Sequence, residues 1–211
     1  MTKNNQEYIE SSAGKPKGRL TLISIFAIAF VPMVLATYMY FNNVLVPSGR
    51  TNHGTLILPP LVFDELELMD VAGQPLKVDA MEAKWMLLVL SDGVCERACS
   101  DALYKARQVN VALHKESDRV IRYLVDVSGD GLENVTEKHK TEYPQLHYSS
   151  ADRFHLKRYL DHKVDANTAL TQSYILVVDP IGNIMMYFTE QNSGKDLLED
   201  LKRLLKVSRI G

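Results

Sequence analysis

The chain reads as an α/β domain built on a mixed sheet, preceded by one apolar helix long enough to cross a membrane. Three observations point there. Leu20 to Phe41 is a 22-residue run without a charged side chain, 18 of whose members are apolar. Three later segments, Trp85–Leu90, Val120–Val127 and Tyr174–Val178, are strand-length apolar blocks of the kind buried on both faces of a sheet. The stretches between and after them carry apolar residues at helical spacing.

The 22-residue run comes first. As a helix it rises about 33 Å, against a hydrocarbon core of about 30 Å. Tyr38 and Tyr40 lie near its far end, where amphipathic rings favour the membrane–water interface. Pro32 is tolerated in a spanning helix more readily than in a soluble one. Lys15, Lys17 and Arg19 precede the run, whereas Arg50 is the sole cation in the twenty residues after it. By the positive-inside rule residues 1–19 form a cytoplasmic tail, 20–41 the span, and everything later lies outside the cytoplasm. Val34-Leu35-Ala36 also fits a signal-peptidase pattern, but cleavage there would leave the apolar Thr37-Tyr38-Met39-Tyr40-Phe41 as a new N-terminus, so an uncleaved anchor is the expectation. Residues 42–60, with Pro47, Ser48, Gly49, Pro59 and Pro60, read as a tether. Residues 61–211 form the domain.

Within that domain Phe63–Asp70, followed by Gly73-Gln74-Pro75, suggests a short hairpin. After the strand at 85–90, Ser91-Asp92-Gly93 is a break. From Glu96 to His114, Cys99, Ala102, Leu103, Ala106, Val109 and Leu113 mark a helix. The strand at 120–127 is followed by helical stretches near Asn134–Tyr143 and Ala151–Leu160. The strand at 174–178 runs into Asp179-Pro180-Ile181-Gly182, a type I turn signal, so Ile184–Phe188 should return antiparallel. Ser193 and Asp196 announce the last helix as a capping pair, and Leu197, Leu198, Leu201, Leu204 and Leu205 form its stripe.

Composition limits the chemistry. The 211 residues carry a net charge of −2, with −4 on residues 42–211, which is no footprint for a nucleic-acid partner. Two cysteines are too few for a four-cysteine zinc site. No phosphate-cradling glycine loop, zinc-protease helix or serine-nucleophile elbow is present.

The sharp signal is Cys95-Glu96-Arg97-Ala98-Cys99, where the first core strand gives way to the first long helix. Backbone N–H groups and the dipole at a helix N-terminus stabilise thiolate. Two close thiolates suit Cu(I) as soft ligands, or close a disulfide. With both cysteines inside a regular helix their Cβ atoms would be about 5–6 Å apart, too far for the roughly 3.8 Å of a disulfide. Bridging therefore needs Cys95 in the loop ahead of the helix. A redox or metal site at Cys95 and Cys99, with Cys95 as the exposed thiol, stands beside the plainer reading of a static disulfide. His147, His155 and His162 are further ligands by residue type. Met185-Met186 reads as core, and Asp126 as a strand-end residue making a loop contact. Asn134-Val135-Thr136 is a sequon with meaning only in a secretory eukaryote.

A buried strand, a paired-cysteine turn, a long helix and a strand ending in Val125-Asp126 resemble the thioredoxin-like fold. With the N-terminal span and the late Asp179-Pro180-Ile181-Gly182 turn, residues 60–207 more narrowly resemble the Sco/SenC family. Leu103–Leu113 is similar to a divergent set of small membrane-anchored proteins associated with bacterial cytochrome c oxidase assembly. The resemblance implies a single-pass inner-membrane protein with its domain in the periplasm. It implies cytochrome c oxidase subunits or assembly factors as partners, and copper, as Cu(I), as the metal handled by Cys95 and Cys99. Thiol–disulfide oxidoreductase and non-enzymatic copper chaperone both remain open as activities, as does a scaffold with a structural Cys95–Cys99 bridge. The chain departs from the family in three places. Thr171 stands eight residues before Asp179, where Sco proteins carry a copper-binding histidine. Val94 and Glu96 replace the usual proline and cysteine around the first motif cysteine. Thr171-Gln172-Ser173 lacks the proline that thioredoxin places before the corresponding strand.

Overall fold

The computed structural model describes residues 17–42, 52–93, 95–129 and 139–208. They fall into two units, one within Met1–Arg50 and one within Thr51–Gly211.

The first unit is helix α1, Lys17–Asn42, with Pro32 inside it. Its apolar residues point in all directions, and Gly18–Asn42 is long and apolar enough to cross a membrane. Ser24 Oγ donates to the Leu20 carbonyl and Thr37 Oγ1 to that of Met33, both at 2.8 Å. Such back-bonding satisfies the hydroxyls without help from solvent.

The second unit is a six-stranded mixed sheet in the order β1-β6-β5-β2-β3-β4. The strands are β1 Thr55–Val62, β2 Trp85–Ser91, β3 Val120–Asp126, β4 Leu146–Ser150, β5 Ile175–Val178 and β6 Asn183–Phe188. Strands β2, β3 and β4 are parallel, while β5 runs antiparallel to β2, β6 to β5 and β1 to β6. The helices are α2 Arg97–Ala112, α3 Arg153–Leu160, α4 Ala166–Thr171 and α5 Gly194–Val207. Every residue of β2 is buried, as its unbroken apolar run requires of a central strand covered on both faces.

The two sheet faces carry separate cores. On one, Met86, Leu88, Leu90, Tyr123, Val125 and Leu176 pack against α3, α4 and the 63–81 segment. On the other, Leu87, Val89, Leu124, Val177 and Phe188 pack against α2 and α5 through residues such as Leu103, Val109, Leu197 and Leu201. The layer order is helix, sheet, helix.

The capping pair ahead of α5 forms as expected. Ser193 Oγ accepts from the Asp196 N–H at 3.2 Å, and Asp196 Oδ2 accepts from the Ser193 N–H at 2.8 Å. The 179–182 turn closes through Gly182 N–H to the Asp179 carbonyl at 3.0 Å. The segment at 63–70 differs from a plain hairpin. Phe63–Leu66 is a 3-10 turn, and beyond it the chain reverses at Gly73 with one bridge, Met69–Pro75, flanked by Asp70 N–H to the Gln74 carbonyl at 2.9 Å and Leu76 N–H to the Leu68 carbonyl at 2.8 Å.

Residues 52–60, expected in the tether, belong to the domain. Pro59 and Pro60 are accommodated because β1 is an edge strand and its register shifts between Leu56 and Leu61, so their missing N–H groups break no continuous ladder. Just ahead of it, the N–H groups of His53 and Gly54 donate to the buried Asp200 Oδ2 at 2.6 and 2.9 Å. His53 Nδ1 lies 3.1 Å from Asp200 Oδ1. Strand β4 and helix α4 add two short elements to those the sequence pattern predicts. The helix expected near Asn134–Tyr143, and the Asn134 sequon, lie mostly outside the described residues.

Candidate functional site at the β2–α2 junction

Three buried polar contacts shape the turn that carries the cysteines. At the end of β2, Ser91 Oγ donates to the Gly93 carbonyl at 3.1 Å, and Val127 N–H donates to the Ser91 carbonyl at 3.0 Å. Gly93 adopts φ +90°, a left-handed conformation that costs a residue with a side chain about 1–2 kcal/mol. The Gly93 N–H donates to Asp126 Oδ1 at 3.1 Å. Asp126, 2% exposed at the end of β3, also accepts from Ser128 Oγ at 2.7 Å. The carboxylate thus ties the turn after β2 to the turn after β3, the loop role its strand-end position suggested. On the opposite side the Arg153 guanidinium of α3 pairs with Asp92.

Cys95 precedes the helix and Cys99 sits in its first turn. Glu96 is the N-cap residue, with extended backbone and no side-chain cap, and the Ser100 N–H donates to the Glu96 carbonyl at 2.8 Å. The two cysteines form a disulfide with Cα atoms 5.1 Å apart. Cys95 lies outside the regular helix, the placement that bridging demands.

Both cysteines are buried as a disulfide, Cys95 6% exposed and Cys99 3%, and both join the core between α2 and the sheet. Cys95, ahead of the helix, is buried because it belongs with Cys99 to that packed layer. Cys99, and not Cys95, lines a cleft of about 690 Å³. Ser91, Asp92, Gly93, Glu96, Arg97 and Ala98 line it together with Ser128, Leu170, Thr171 and Ser173.

Thr171, which stands where Sco proteins carry their histidine, lines the cleft together with Cys99. Its Oγ1 is turned into its own helix, donating to the Asn167 carbonyl at 3.0 Å. Ser173 carries no sequence signal, yet it is buried on this wall with φ +49°. Left-handed backbone in a residue with a side chain is uncommon, and here it swings the chain from α4 into β5.

The three histidines do not meet the cysteines. His147, on edge strand β4, stacks on Tyr123 with ring centroids 5.1 Å apart. Partial burial, then Arg122 and Lys84, pull its pKa below the usual imidazole value. His155 on α3 has Nε2 2.7 Å from the Glu65 carbonyl oxygen. His162 is exposed in the turn after α3. Met186 is 3% exposed in the core, with Met185 packed partly against it. Among the described residues no group of three or more His, Cys, Asp or Glu side chains could hold a metal ion. Cys95 and Cys99 are the soft donors at this junction, and once reduced they would be the residues to hold Cu(I) as a dithiolate.

The fold is that of several solved Sco structures. Yeast Sco1 with copper bound superposes with a TM-score of 0.55 at 13% identity, covering 76% of this chain and 96% of that one. Apo Sco1 from Thermus thermophilus gives 0.56 at 16%, covering 74% and 99%. BsSco, described as carrying a disulfide switch and as a member of the Sco family of cytochrome c oxidase assembly proteins, gives 0.51 at 14%, covering 74% and 98%. At these identities the likeness establishes a shared thioredoxin-like fold. No curated protein matches the sequence significantly. Two family models do match. "Transmembrane-like, N-terminal domain" covers residues 12–43, and "Transmembrane-like, thioredoxin-like, C-terminal domain" covers 85–208. The chain belongs to this transmembrane-like, thioredoxin-like family.

Proposed function

We propose that the chain is a membrane-anchored thiol–disulfide protein that supports assembly of cytochrome c oxidase through Cys95 and Cys99. The observation carrying this reading is the bonded cysteine pair at the β2–α2 junction, with Cys99 on the wall of a cleft. The shared fold with Sco structures and the apolar α1 agree with it. The oxidase is the partner by the family resemblance, and the orientation, with the domain in the periplasm, rests on Lys15, Lys17 and Arg19 ahead of the apolar run at Leu20.

The chemistry balances within the pair. In the reduced form a thiolate of the pair attacks a client disulfide, forming a mixed disulfide and releasing one client thiolate, which takes up a proton. The second cysteine, as thiolate, then displaces the remaining client sulfur and closes Cys95–Cys99. Two electrons pass to the client, and a dithiol reductant resets the pair. Reduction of the cysteines that receive copper in an oxidase subunit fits this step. Transient Cu(I) transfer between dithiolates is the second use of the same two sulfurs. Thr171 in the position of the family's histidine favours the redox use, since the cleft supplies no third ligand to retain the ion.

A scaffold with a structural disulfide is the competing reading, and the burial of both cysteines favours it. The reduction potential of the full-length protein separates the two. Equilibration with a redox buffer should give a value well above about −300 mV for an exchanging pair, whereas a value below it marks a structural bridge. Loss of oxidase activity on deletion, restored by the wild type but not by the Cys95→Ser/Cys99→Ser variant, supports the dithiol role. Full rescue by that variant overturns it. Anaerobic Cu(I) titration of reduced wild type beside Cys95→Ser tests the metal use, and equal affinity in the two excludes the pair as the copper ligand.

A further inference from the structure

At the opposite end of the parallel strands from the cysteines, Arg122 is buried on β3. It is 5% exposed, close to the strand's start, and about 13 Å along β3 from Asp126 at 3.3 Å per residue. A guanidinium carries five N–H donors and stays protonated in a protein. In this structure one of its nitrogens, Nη2, donates to the Pro144 carbonyl at 3.2 Å, and among the described residues Arg122 forms no ion pair. A buried cation without a counter-charge is costly, and the remedy is normally a hydrogen-bonded anion.

The surroundings add positive charge. Arg122 lines a cavity of about 300 Å³ together with Lys84, Asn110, Asp118, Gln145 and His147. Burial and the nearby Arg107 both push the Arg122 guanidinium below its usual value. Lys84 Nζ bonds the exposed Glu82 carboxylate at 2.6 Å and leaves two donors for a ligand. Asn110 is not available, since its Nδ2 already donates to the Ser117 and Val120 carbonyls. Asp118 is exposed at the rim and pairs with neither cation.

We propose that Arg122 and Lys84 form an anion site in this cavity that takes a phosphate group. A buried planar fork and a partly exposed, flexible ammonium lining one cavity match the way proteins hold phosphate oxygens. The phosphate belongs either to free inorganic phosphate or to a phospholipid headgroup; the chemistry of recognition is the same. The site is separate from the cysteine cleft and shares no residue with it.

Calorimetric titration of the full-length protein in a nonionic detergent tests this. Inorganic phosphate is the first ligand, titrated at constant ionic strength against chloride. Monomeric dihexanoyl phosphatidic acid, below its micelle concentration, is the second. Saturable binding of either ligand is expected, and which one binds identifies the source. Arg122→Gln should weaken it at least tenfold and Lys84→Gln about fivefold, with the exposed Lys195→Gln unchanged. If Arg122→Gln fails to fold, the comparison of Lys84→Gln with Lys195→Gln decides. Absence of saturable binding with both ligands, or equal affinity in Lys84→Gln, Lys195→Gln and wild type, overturns the site.

Discussion

The Asp126 carboxylate lies beneath the cysteine-bearing turn and accepts the Gly93 N–H at 3.1 Å. One buried side chain thereby fixes the loop that decides where Cys95 goes. Asp126→Ala leaves the Gly93 N–H and the Ser128 hydroxyl without their acceptor. The expected cost is about 2 kcal/mol in urea denaturation of the full-length protein, by the usual penalty for unsatisfied buried polar groups. Asp126→Asn keeps one acceptor oxygen and should lose less. The same loosening should expose Cys95, so the disulfide of Asp126→Ala should be reduced faster by dithiothreitol than that of the wild type.

Cys99 lines the cleft and Cys95 does not, although both are nearly inaccessible on average. Single-cysteine variants should therefore differ. Under native conditions the free Cys99 of Cys95→Ser should alkylate several-fold faster than the free Cys95 of Cys99→Ser. A reversed order, measured by iodoacetamide labelling and mass spectrometry, would show that Cys95 is the accessible sulfur. Both variants should label alike in denaturant.

Gly93 holds φ +90°, and a Cβ there would stand 3.4 Å from the Ser128 Cβ, an ordinary contact. The cost of Gly93→Ala is therefore conformational, about 1–2 kcal/mol, with little added by crowding. Thermal unfolding of the two proteins checks it. Gly73, also at positive φ but with open space around it, should show a similar loss on substitution by alanine.

The α5 capping box supplies a pH-dependent prediction. The Ser193 backbone N–H and then its hydroxyl hold the Asp196 carboxyl below its usual value. A depressed carboxylate contributes stability above its unfolded pKa and loses it as pH falls through the folded value. Ser193→Ala should thus cost about 1 kcal/mol at neutral pH. The difference between variant and wild type should shrink below about pH 4. Denaturant titrations at pH 7 and pH 3 compare them.

Much of this architecture can be read from residue order alone, for physical reasons that differ between elements. The central strands β2, β3 and β5 show as continuous apolar blocks because both their faces are covered. Helix α5 shows because its stripe and its Ser193/Asp196 cap agree. Strand β1 escapes detection because Leu58-Pro59-Pro60 carries the marks of a linker, and only an edge position with a shifted register makes it a strand. Strand β4 escapes because Leu146–Ser150 is short and polar, its assignment resting on pairing with Arg122–Asp126. At the site, a Cys95–Cys99 bridge requires Cys95 in the loop ahead of the helix, and the position of Thr171 follows from the family resemblance, eight residues before Asp179. The burial of Cys95 and the presence of Leu170 and Ser173 in the cleft depend on how α2 and α4 dock on the sheet. Neither leaves a trace in local sequence.

The early entry of the chain into the sheet has a mechanical consequence. Tension arriving along the chain from its anchored side would be borne first where the N–H groups of His53 and Gly54 are held by Asp200, and then by the antiparallel rungs that join Thr55 and Leu56 to β6. Force drawn along a strand shears such rungs together instead of opening them singly. The cysteine turn lies on the far side of β5 from this seam. Load entering the domain at its first strand would therefore strain the β1–β6 border before it reached the Cys95–Cys99 disulfide.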